Sequence, residues 1–412
     1  MSLSPDDAPP PGRDWRECPH CGLLCRLPPR LPGFVAECPR CGEALWRMRR
    51  AGRRLPLACA LAALVFYLFA LVAPFLEITA FGRFSQAGLT TGPVQLAAQG
   101  YMAIAALVFT LTLLAPGVQL GILLLTLGGL RHLPHRLLTP LFRWYERLTP
   151  WAMIDVYLLG FLVAYTRLTA MATVHLDTAL YALAGCMICM TAAQANLDTE
   201  AIWRRLDPAG DTPLPAGRLS ACPACHLVSA AAEGSLCPRC GTLRHARKPE
   251  SQSRAWALLL AAAILYIPAN MFPFMDVTKL AQPTAYTIMG GVFELANDGL
   301  WPLAVLVFGA SITIPLTKLL VLAYLLIATH FGWDEHLTAR TRAYRVIDLI
   351  GRWSMIDVFM VSILVALVRF SPFTSVQADT GAVCFAAVVV LTIVAVNAFD
   401  PRLMWDAAQE QK

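Results

Sequence analysis

The stretch WAMIDVYLLG at residues 151–160 returns 202 positions later as WSMIDVFMVS at residues 353–362. The shared pattern W-x-M-I-D-V is too specific to arise from apolar composition alone. Self-similarity at a long, fixed spacing indicates a duplicated structural unit. We therefore predict that the chain contains two copies of one unit.

The same duplication extends outward from these stretches along most of the chain. The spacing between equivalent residues is 199 before a three-residue insertion and 202 after it. Pairs on both sides of the insertion follow this rule: Cys41 and Cys240, Pro74 and Pro273, Pro116 and Pro315, Asp155 and Asp357, Asp198 and Asp400, and Trp203 and Trp405.

The composition indicates a membrane protein. Of the 412 residues, 57% are hydrophobic and only 15% are charged, which is far from the average of a soluble domain. About 20 mostly apolar residues span the hydrocarbon core of a bilayer. Eight stretches satisfy this requirement: about 57–76, 101–130, 151–170, 178–197, 255–275, 300–329, 353–371 and 380–398.

The distribution of arginine and lysine predicts the orientation. Basic residues concentrate in the segments that would face one side, whereas the segments facing the other side carry only Arg83 and Lys279. By the positive-inside rule, both termini are cytoplasmic. Four spans per unit return the chain to the same side, so the two repeats are parallel and related by an axis along the membrane normal. The net charge of +6 reflects this topology, and we expect no nucleic-acid binding.

Each repeat begins with two C-x-x-C knuckles that face each other in the predicted structure. Such a pair directs four thiolates to one point, which is the tetrahedral arrangement that Zn²⁺ favours. Four sulfur ligands leave no open coordination position, so we predict two structural zinc ribbons. The ligand sets are Cys18, Cys21, Cys38 and Cys41, and Cys222, Cys225, Cys237 and Cys240.

Two other uses of these cysteines are less consistent with the pattern. Disulfides do not suit the reducing side of the membrane, and a redox motif would have one exposed C-x-x-C at a helix start. His226 stands where the other three knuckles have glycine, which we expect to weaken that turn slightly. The pair Cys186 and Cys189 lies within an apolar span and is interpreted as small core residues.

The segments between the first and second spans of each repeat, 77–100 and 276–299, are rich in Thr, Gly and aromatic residues. This composition favours short strands, so a small β-rich cap is expected over each bundle on the periplasmic side. The predicted fold is mainly α: a polytopic membrane protein of two repeats, each a zinc ribbon, a four-helix bundle and a cap. The predicted domains are 1–54, 55–200, 201–250 and 251–412.

These features resemble the paraquat-inducible protein A family. The resemblance rests on the paired CPxCG and CPRCG knuckles, on PFLEI (74–78) and PFMDV (273–277) at the end of each first span, and on the two W-x-M-I-D-V stretches. It covers the chain from Cys18 to Trp405.

The resemblance implies an inner-membrane component of a bacterial lipid transport system. Such a protein moves phospholipid between the inner membrane and a tunnel formed by a periplasmic MCE-domain protein. It also implies that the chain is not an enzyme: the family lacks an ATPase domain, and this sequence has no G-x-x-x-x-G-K-[ST] loop. A proton gradient is then the natural energy source.

Lys318 is the candidate for such coupling. It lies twelve residues from the end of its span near His330, at a depth of about 18 Å, too far for easy snorkelling. A lysine at this depth should face the bundle interior and have polar partners. We expect Ser311, Lys318 and Thr392 to form one polar cluster, and the family resemblance implies such a network as well. The equivalent of Lys318 in the first repeat is Gln119, so only the second repeat carries the charge.

Each of these residues also has a structural interpretation. Lys318 can serve as hydrogen-bonded glue between helices. Asp155 and Asp357, near the cytoplasmic start of each third span, can cap their helices and stabilise the helix dipole, or act as counter-ions in a proton path.

Two other functions also remain open at this point. The chain could be an anchor that holds the MCE partner without transporting lipid. Alternatively, it could be a membrane redox or stress protein, which would require exchange-active cysteines.

Overall fold

The computed structural model describes residues 15–27, 35–47, 52–80, 83–130, 132–169, 173–207, 219–230, 233–279, 282–367, 369–370 and 374–410. Residues 1–14 and 208–218, which the sequence analysis assigns to the two ribbons, lie outside the described residues.

Within the described residues, eight helical segments are long and apolar enough to cross a membrane, which confirms the predicted number. In each repeat, the first span packs along the fourth. The helices of the first repeat are α1 (Arg54–Val72), α2 (Thr91–Ala98), α3 (Met102–Phe109), α4 (Ala115–Gly129), α5 (His135–Leu148), α6 (Ile154–Thr169), α7 (Thr178–Asn196) and α8 (Thr199–Arg205). Those of the second are α9 (Ser251–Met271), α10 (Ile288–Asn297), α11 (Trp301–Phe308), α12 (Ile314–His330), α13 (Leu337–Gly351), α14 (Ile356–Leu367), α15 (Thr380–Ala398) and α16 (Arg402–Glu410).

The amphipathic helices α5 and α13 precede the third spans almost without interruption. A short 3₁₀ turn, Thr149–Trp151 in the first repeat and Arg352–Met355 in the second, joins each one to its span. Helices α5 and α13, which are rich in basic and aromatic residues, are therefore continuous with the third spans α6 and α14.

The two repeats meet through α6 and α14, the helices that contain the duplicated W-x-M-I-D-V stretches. The rings of Tyr157 and Phe359, which occupy equivalent positions, are edge to face with centroids 5.6 Å apart. Contact between equivalent residues is typical of packing about a two-fold axis. The stretch that reveals the duplication is thus also the surface that joins the copies.

Short strands form the ribbons and the caps. The ribbon strands pair as antiparallel hairpins, and the cap strands form one sheet of three and one of four strands. The strands are β1 (Trp15–Glu17), β2 (Leu24–Arg26), β3 (Val35–Glu37), β4 (Ala44–Arg47), β5 (Leu76–Ala80), β6 (Arg83–Ala87), β7 (Thr173–Leu176), β8 (Leu219–Ala221), β9 (Val228–Ala230), β10 (Met275–Lys279), β11 (Gln282–Tyr286), β12 (Arg369–Phe370) and β13 (Thr374–Ala378).

The caps confirm the expectation of short strands and extend it. In both repeats, the strands that follow the first span gain a further strand from the connection between the third and fourth spans: β7 pairs with β5, and β13 with β10. These partners were not predicted, because their connections are short and carry no strand signal of their own. Their pairing fastens the third and fourth spans to the first.

The two repeats approach each other closely at Gly160, so a methyl group added there should destabilise the protein. A Cβ added at Gly160 would lie 3.0 Å from the Ile356 carbonyl oxygen and 3.1 Å from the Phe359 Cβ. We expect Gly160→Ala to lower the thermal unfolding temperature of the detergent-solubilised protein, because overpacking costs about 1–3 kcal/mol.

The matched control is Gly121→Ala, whose Cβ would meet no atom within 4 Å. There the better helix propensity of alanine, worth up to about 1 kcal/mol, should leave the unfolding temperature unchanged or higher. Equal shifts for the two variants would contradict the proposed tight contact at Gly160.

Candidate metal centres and intramembrane polar site

The hairpins β1–β2 and β3–β4 present the four cysteines of the first ribbon. At the knuckle turns, the Gly22 amide donates to the Cys18 carbonyl at 3.0 Å, and the Gly42 amide donates to the Cys38 carbonyl at 2.8 Å. Both glycines have φ near +70°, a conformation that a residue without Cβ adopts at little cost. The C-x-x-C-G sequence thus fixes the turn that directs the sulfurs inward.

The two cysteine sets fit a tetrahedral metal ion. Within each set, the four Sγ atoms lie within 4.8 Å of one another and all four residues are buried. The closest sulfur pairs are 3.4 to 3.6 Å apart, near the roughly 3.8 Å expected for metal–sulfur bonds of about 2.3 Å. The sequence-derived ligand sets are thus brought together in both ribbons: Cys18, Cys21, Cys38 and Cys41, and Cys222, Cys225, Cys237 and Cys240.

The first cluster also favours a thiolate, the form of cysteine that binds metal. Hydrogen bonding with Cys21 lowers the pKa of Cys18 to about 5, and backbone amides of the knuckle turn contribute in the same direction. The turn therefore supplies both the geometry and part of the charge stabilisation for a metal ligand.

Each ribbon packs against the bundle of the other repeat. The cysteines of the first ribbon share a hydrophobic cluster with α9, α12, α13, α15 and α16 of the second repeat. The His20 ring meets Tyr344 edge to face at 5.9 Å, and the Arg40 guanidinium lies 4.9 Å from the centre of the Trp405 ring. In turn, the cysteines of the second ribbon share a cluster with Phe142 and Trp203 of the first repeat.

Equivalent arginines of the two repeats each contact the ribbon of the opposite repeat. Arg345 donates to the carbonyl oxygen of Cys41 at 2.6 Å. Its counterpart Arg143 donates to the carbonyl oxygen of Cys240 at 3.5 Å. Arginine and cysteine belong to opposite repeats in both contacts, so each bundle holds the metal-binding loop of its partner.

A buried carboxylate joins the two ribbons to the C-terminal segment. Glu17 accepts hydrogen bonds from Arg247 at 3.2 Å, from Arg402 at 2.9 Å and from the Ala221 amide at 2.7 Å. Arg402 also pairs with Asp400 at 2.9 Å. Burial alone raises the pKa of Asp400, but hydrogen bonds and charge from Arg402 outweigh it, and the pKa lies below its ordinary value. These contacts link residues that are distant in sequence at the ribbon end of the molecule.

Lys318 is buried in the second bundle, with 1% of its surface exposed. Its Nζ donates to the Thr392 hydroxyl at 2.8 Å and is 3.4 Å from the Gly351 carbonyl oxygen. Among the described residues it forms no ion pair with a carboxylate. The structure thus joins two of the three predicted cluster members directly.

Ser311, the third member, is also buried, but its hydroxyl donates to the Val307 carbonyl at 2.7 Å, one turn earlier in its own helix. Thr112, the equivalent residue of the first repeat, makes the same bond to Val108 at 2.8 Å. Gln119, the counterpart of Lys318, donates instead to the Thr149 hydroxyl at 3.0 Å. The two bundles therefore share the serine or threonine arrangement and differ at the lysine.

Proline interrupts the backbone hydrogen bonds of both second spans, and a tyrosine supplies a substitute donor. A π-helical turn precedes each proline, at Thr110–Leu114 and Gly309–Thr313. A hydroxyl from the first span donates to a carbonyl of each turn: Tyr67 to Leu113 at 2.6 Å, and Tyr266 to Ile312 at 3.3 Å. These tyrosines were not among the predicted site residues, although their spacing of 199 marks them as equivalent positions. They satisfy backbone groups that membrane burial would otherwise leave without a partner.

The equivalent aspartates have different environments. Asp155 and Asp357 each lie in the first turn of their helix, where a carboxylate interacts favourably with the helix dipole. Asp155 is exposed, whereas Asp357 is 2% exposed. The hydroxyl of Ser354, one turn before Asp357, is buried and makes no hydrogen bond within the described residues.

A cavity of about 350 Å³ lies between the two repeats beside Lys318, at the end of the bundle that carries the ribbons. Its walls are mostly apolar, with a few polar groups. Neither repeat encloses it alone, so the sequence could not reveal it. The lining includes Trp151, Asp155, Met187, Lys318, Asp348 and Arg352.

The fold and the sites define an integral membrane protein of two parallel repeats with paired four-cysteine centres. The chain belongs to the paraquat-inducible protein A family, whose model matches residues 54–207 and 252–409.

Its similarity to known proteins extends over nearly the full length. Intermembrane transport protein PqiA of Escherichia coli K12 is 33% identical over 411 residues, covering 96% of each chain. Lipophilic envelope-spanning tunnel protein A of the same strain is 31% identical over 96% of this chain and 92% of its own. A probable intermembrane transport protein of Haemophilus influenzae is 26% identical over 96% of this chain and 97% of its own. No solved structure matches the chain.

Metal content distinguishes the ligands from a neighbouring cysteine. Cys21→Ser should reduce the metal measured in the purified protein from two equivalents per chain to one, because it removes one of four ligands from one of the two clusters. Cys25→Ser is the control, since Cys25 lies in the same ribbon but outside the cluster. Loss of metal in both variants, or in neither, would rule out the assigned ligand set.

Backbone strain in the third knuckle, at residues 222–226, gives a second prediction. His226 has φ of +56°, while its equivalent in the next knuckle, Gly241, has +69°. His226→Gly should make the second ribbon more resistant to chelation, because a non-glycine residue in this region costs about 1–2 kcal/mol. Gly241→His should lower that resistance by a similar factor, as measured by the rate of metal transfer to a chelator. A slower loss of metal from Gly241→His than from the unmodified protein would contradict the predicted cost of backbone strain.

Proposed function

We propose that the chain is the inner-membrane component of a bacterial lipid transport system, which moves phospholipid between the inner membrane and a tunnel formed by a periplasmic MCE-domain protein. The names of its relatives support intermembrane transport. The observation that carries the proposal is Lys318: it is buried among eight membrane helices and lines a cavity between two repeats. A simple anchor has no need of a buried cation beside an internal space.

The orientation follows from charge. Basic residues concentrate at the ribbon end of the spans, which favours a cytoplasmic location for the ribbons and both termini. The strand-rich caps then lie in the periplasm. There they would provide the docking surface for the MCE-domain partner. The division into domains at 1–54, 55–200, 201–250 and 251–412 remains part of this proposal.

We assign Zn²⁺ to both cysteine clusters. Four buried thiolates suit Zn²⁺, and a closed four-sulfur site has a structural rather than a catalytic role. In this assignment, metal binding supplies folding free energy to ribbons that are too small to bury a core of their own.

For the energy source we propose a proton gradient. Lys318 with Thr392 is the centre of the path, and Ser311 is buried in the same span about two helical turns before Lys318. Asp155, which lines the cavity, and Asp357, which is buried in α14, are the candidate carboxylates. The first bundle, with Gln119 in place of the lysine, would have the supporting role.

Substitutions at the equivalent positions 318 and 119 test this function. Lys318→Met should abolish rescue of a transport-deficient strain, while the amount of folded protein in the membrane stays near that of the parent. Gln119→Met is the matched control: it removes a buried polar group from the equivalent position of the other bundle and should retain most rescue.

Full rescue by Lys318→Met would contradict coupling through this lysine and favour a non-transporting anchor. Equal loss of rescue in Lys318→Met and Gln119→Met would indicate that each polar group only stabilises its bundle.

A further inference from the structure

The cavity beside Lys318 has charged groups of both signs in its lining. Lys318 is almost fully buried, and Arg352 is half-buried. Asp155 and Asp348, which line the same cavity, are exposed. Two basic and two acidic side chains therefore line one cavity.

The ammonium group of Lys318 has one donor left for a ligand. A lysine ammonium carries three N–H donors. Thr392 and the Gly351 carbonyl account for two of them, and both acceptors are neutral. Burying a charge without an opposite charge is costly. The cavity is the place where an anion can reach the third donor and balance the charge.

Arg352 makes the interior suited to a phosphate. A guanidinium presents its donors in a planar fork that matches phosphate oxygens, and an ammonium acts beside it as a point charge. Arg352 interacts electrostatically with Asp348, four residues earlier, but no salt bridge within 4 Å holds it among the described residues. Two basic groups of different geometry therefore line one small space.

The two carboxylates limit the kind of phosphate. Asp155 and Asp348 line the same cavity and repel an anionic group that binds alone. A ligand that carries its own cation next to the phosphate converts this repulsion into attraction. The apolar part of the lining, which includes Trp151 and Met187, suits the carbon atoms that join the charged groups of such a ligand.

We propose that this cavity binds the zwitterionic head group of a phospholipid, with the phosphodiester against Lys318 and Arg352 and the ammonium against Asp155 and Asp348. This inference rests on the proposed function for its choice of a lipid ligand. At about 350 Å³ the space is near the lower limit for ligand pockets, so it holds a head group while the acyl chains remain outside, along the membrane helices.

Binding of soluble head groups tests the proposal with the full-length protein in a neutral detergent. The titrants are glycerophosphoethanolamine, glycerophosphoglycerol and inorganic phosphate, and the measurement is isothermal titration calorimetry. The parent should bind glycerophosphoethanolamine at least tenfold more tightly than the other two. Comparable binding of glycerophosphoglycerol would overturn the zwitterion selectivity, and tighter binding of inorganic phosphate would identify a free-anion site instead.

Three variants separate the two ends of the site. Lys318→Met and Arg352→Gln should each weaken glycerophosphoethanolamine binding by about tenfold or more, since a hydrogen bond to a charged group contributes about 1.5–3 kcal/mol. The double variant Asp155→Asn with Asp348→Asn should instead bring the ratio of the ethanolamine and glycerol affinities close to one. Asp334→Asn, an exposed carboxylate that does not line the cavity, should change nothing.

Arg352→Gln retains a test if Lys318→Met fails to fold, because Arg352 is only half-buried. Unchanged selectivity in the double aspartate variant would overturn the assignment of the ammonium. The assay also separates this inference from the transport proposal. Rescue by the parent without selective binding refutes the head-group site alone, whereas selective binding together with full rescue by Lys318→Met refutes the coupling role alone.

Discussion

The exchange of ribbons between the repeats is the constraint on which the rest of the structure depends. A four-cysteine ribbon is too small to bury a core, so even with a metal ion it needs an apolar surface to rest on. Each ribbon finds that surface on the opposite bundle, where Arg345 holds Cys41 and Arg143 holds Cys240. The metal centres are therefore structurally tied to the relation between the bundles, and a change at either ribbon acts on both repeats.

Duplication explains how the interior tolerates irregular backbone. Each second span contains a π-helical turn before a proline, and each first span supplies a tyrosine hydroxyl to that turn. This solution is preserved in both copies because an unsatisfied carbonyl in a membrane is costly wherever it occurs. The next buried polar position of the second span differs between the copies: it is Gln119 in one and Lys318 in the other.

The unequal copies produce a site that neither copy contains. The cavity lies between α7 and the start of α6 on one side and α12, α13 and α15 on the other. Because the repeats are parallel, equivalent ends of the two bundles face each other. The charge of Lys318, which the first repeat lacks, therefore lies on only one side of the cavity. A symmetric pair of bundles could enclose the space, but Lys318 and Arg352 of the second repeat place positive charge in its lining.

The sequence by itself determined the eight spans, the two repeats, the cysteine ligand sets and the burial of Lys318. These follow from local rules: apolar length, fixed spacing, and the charge that a bilayer excludes. Thr392 as the partner of Lys318 was also predictable, because few polar residues interrupt the last span. Only the tertiary structure decided that the ribbons cross, that β7 and β13 join the caps, that Ser311 bonds to its own helix, and that Asp155, Asp348 and Arg352 line one cavity with Lys318. Each of these depends on which surfaces meet, and periodicity within one segment carries no information about the segment that covers it.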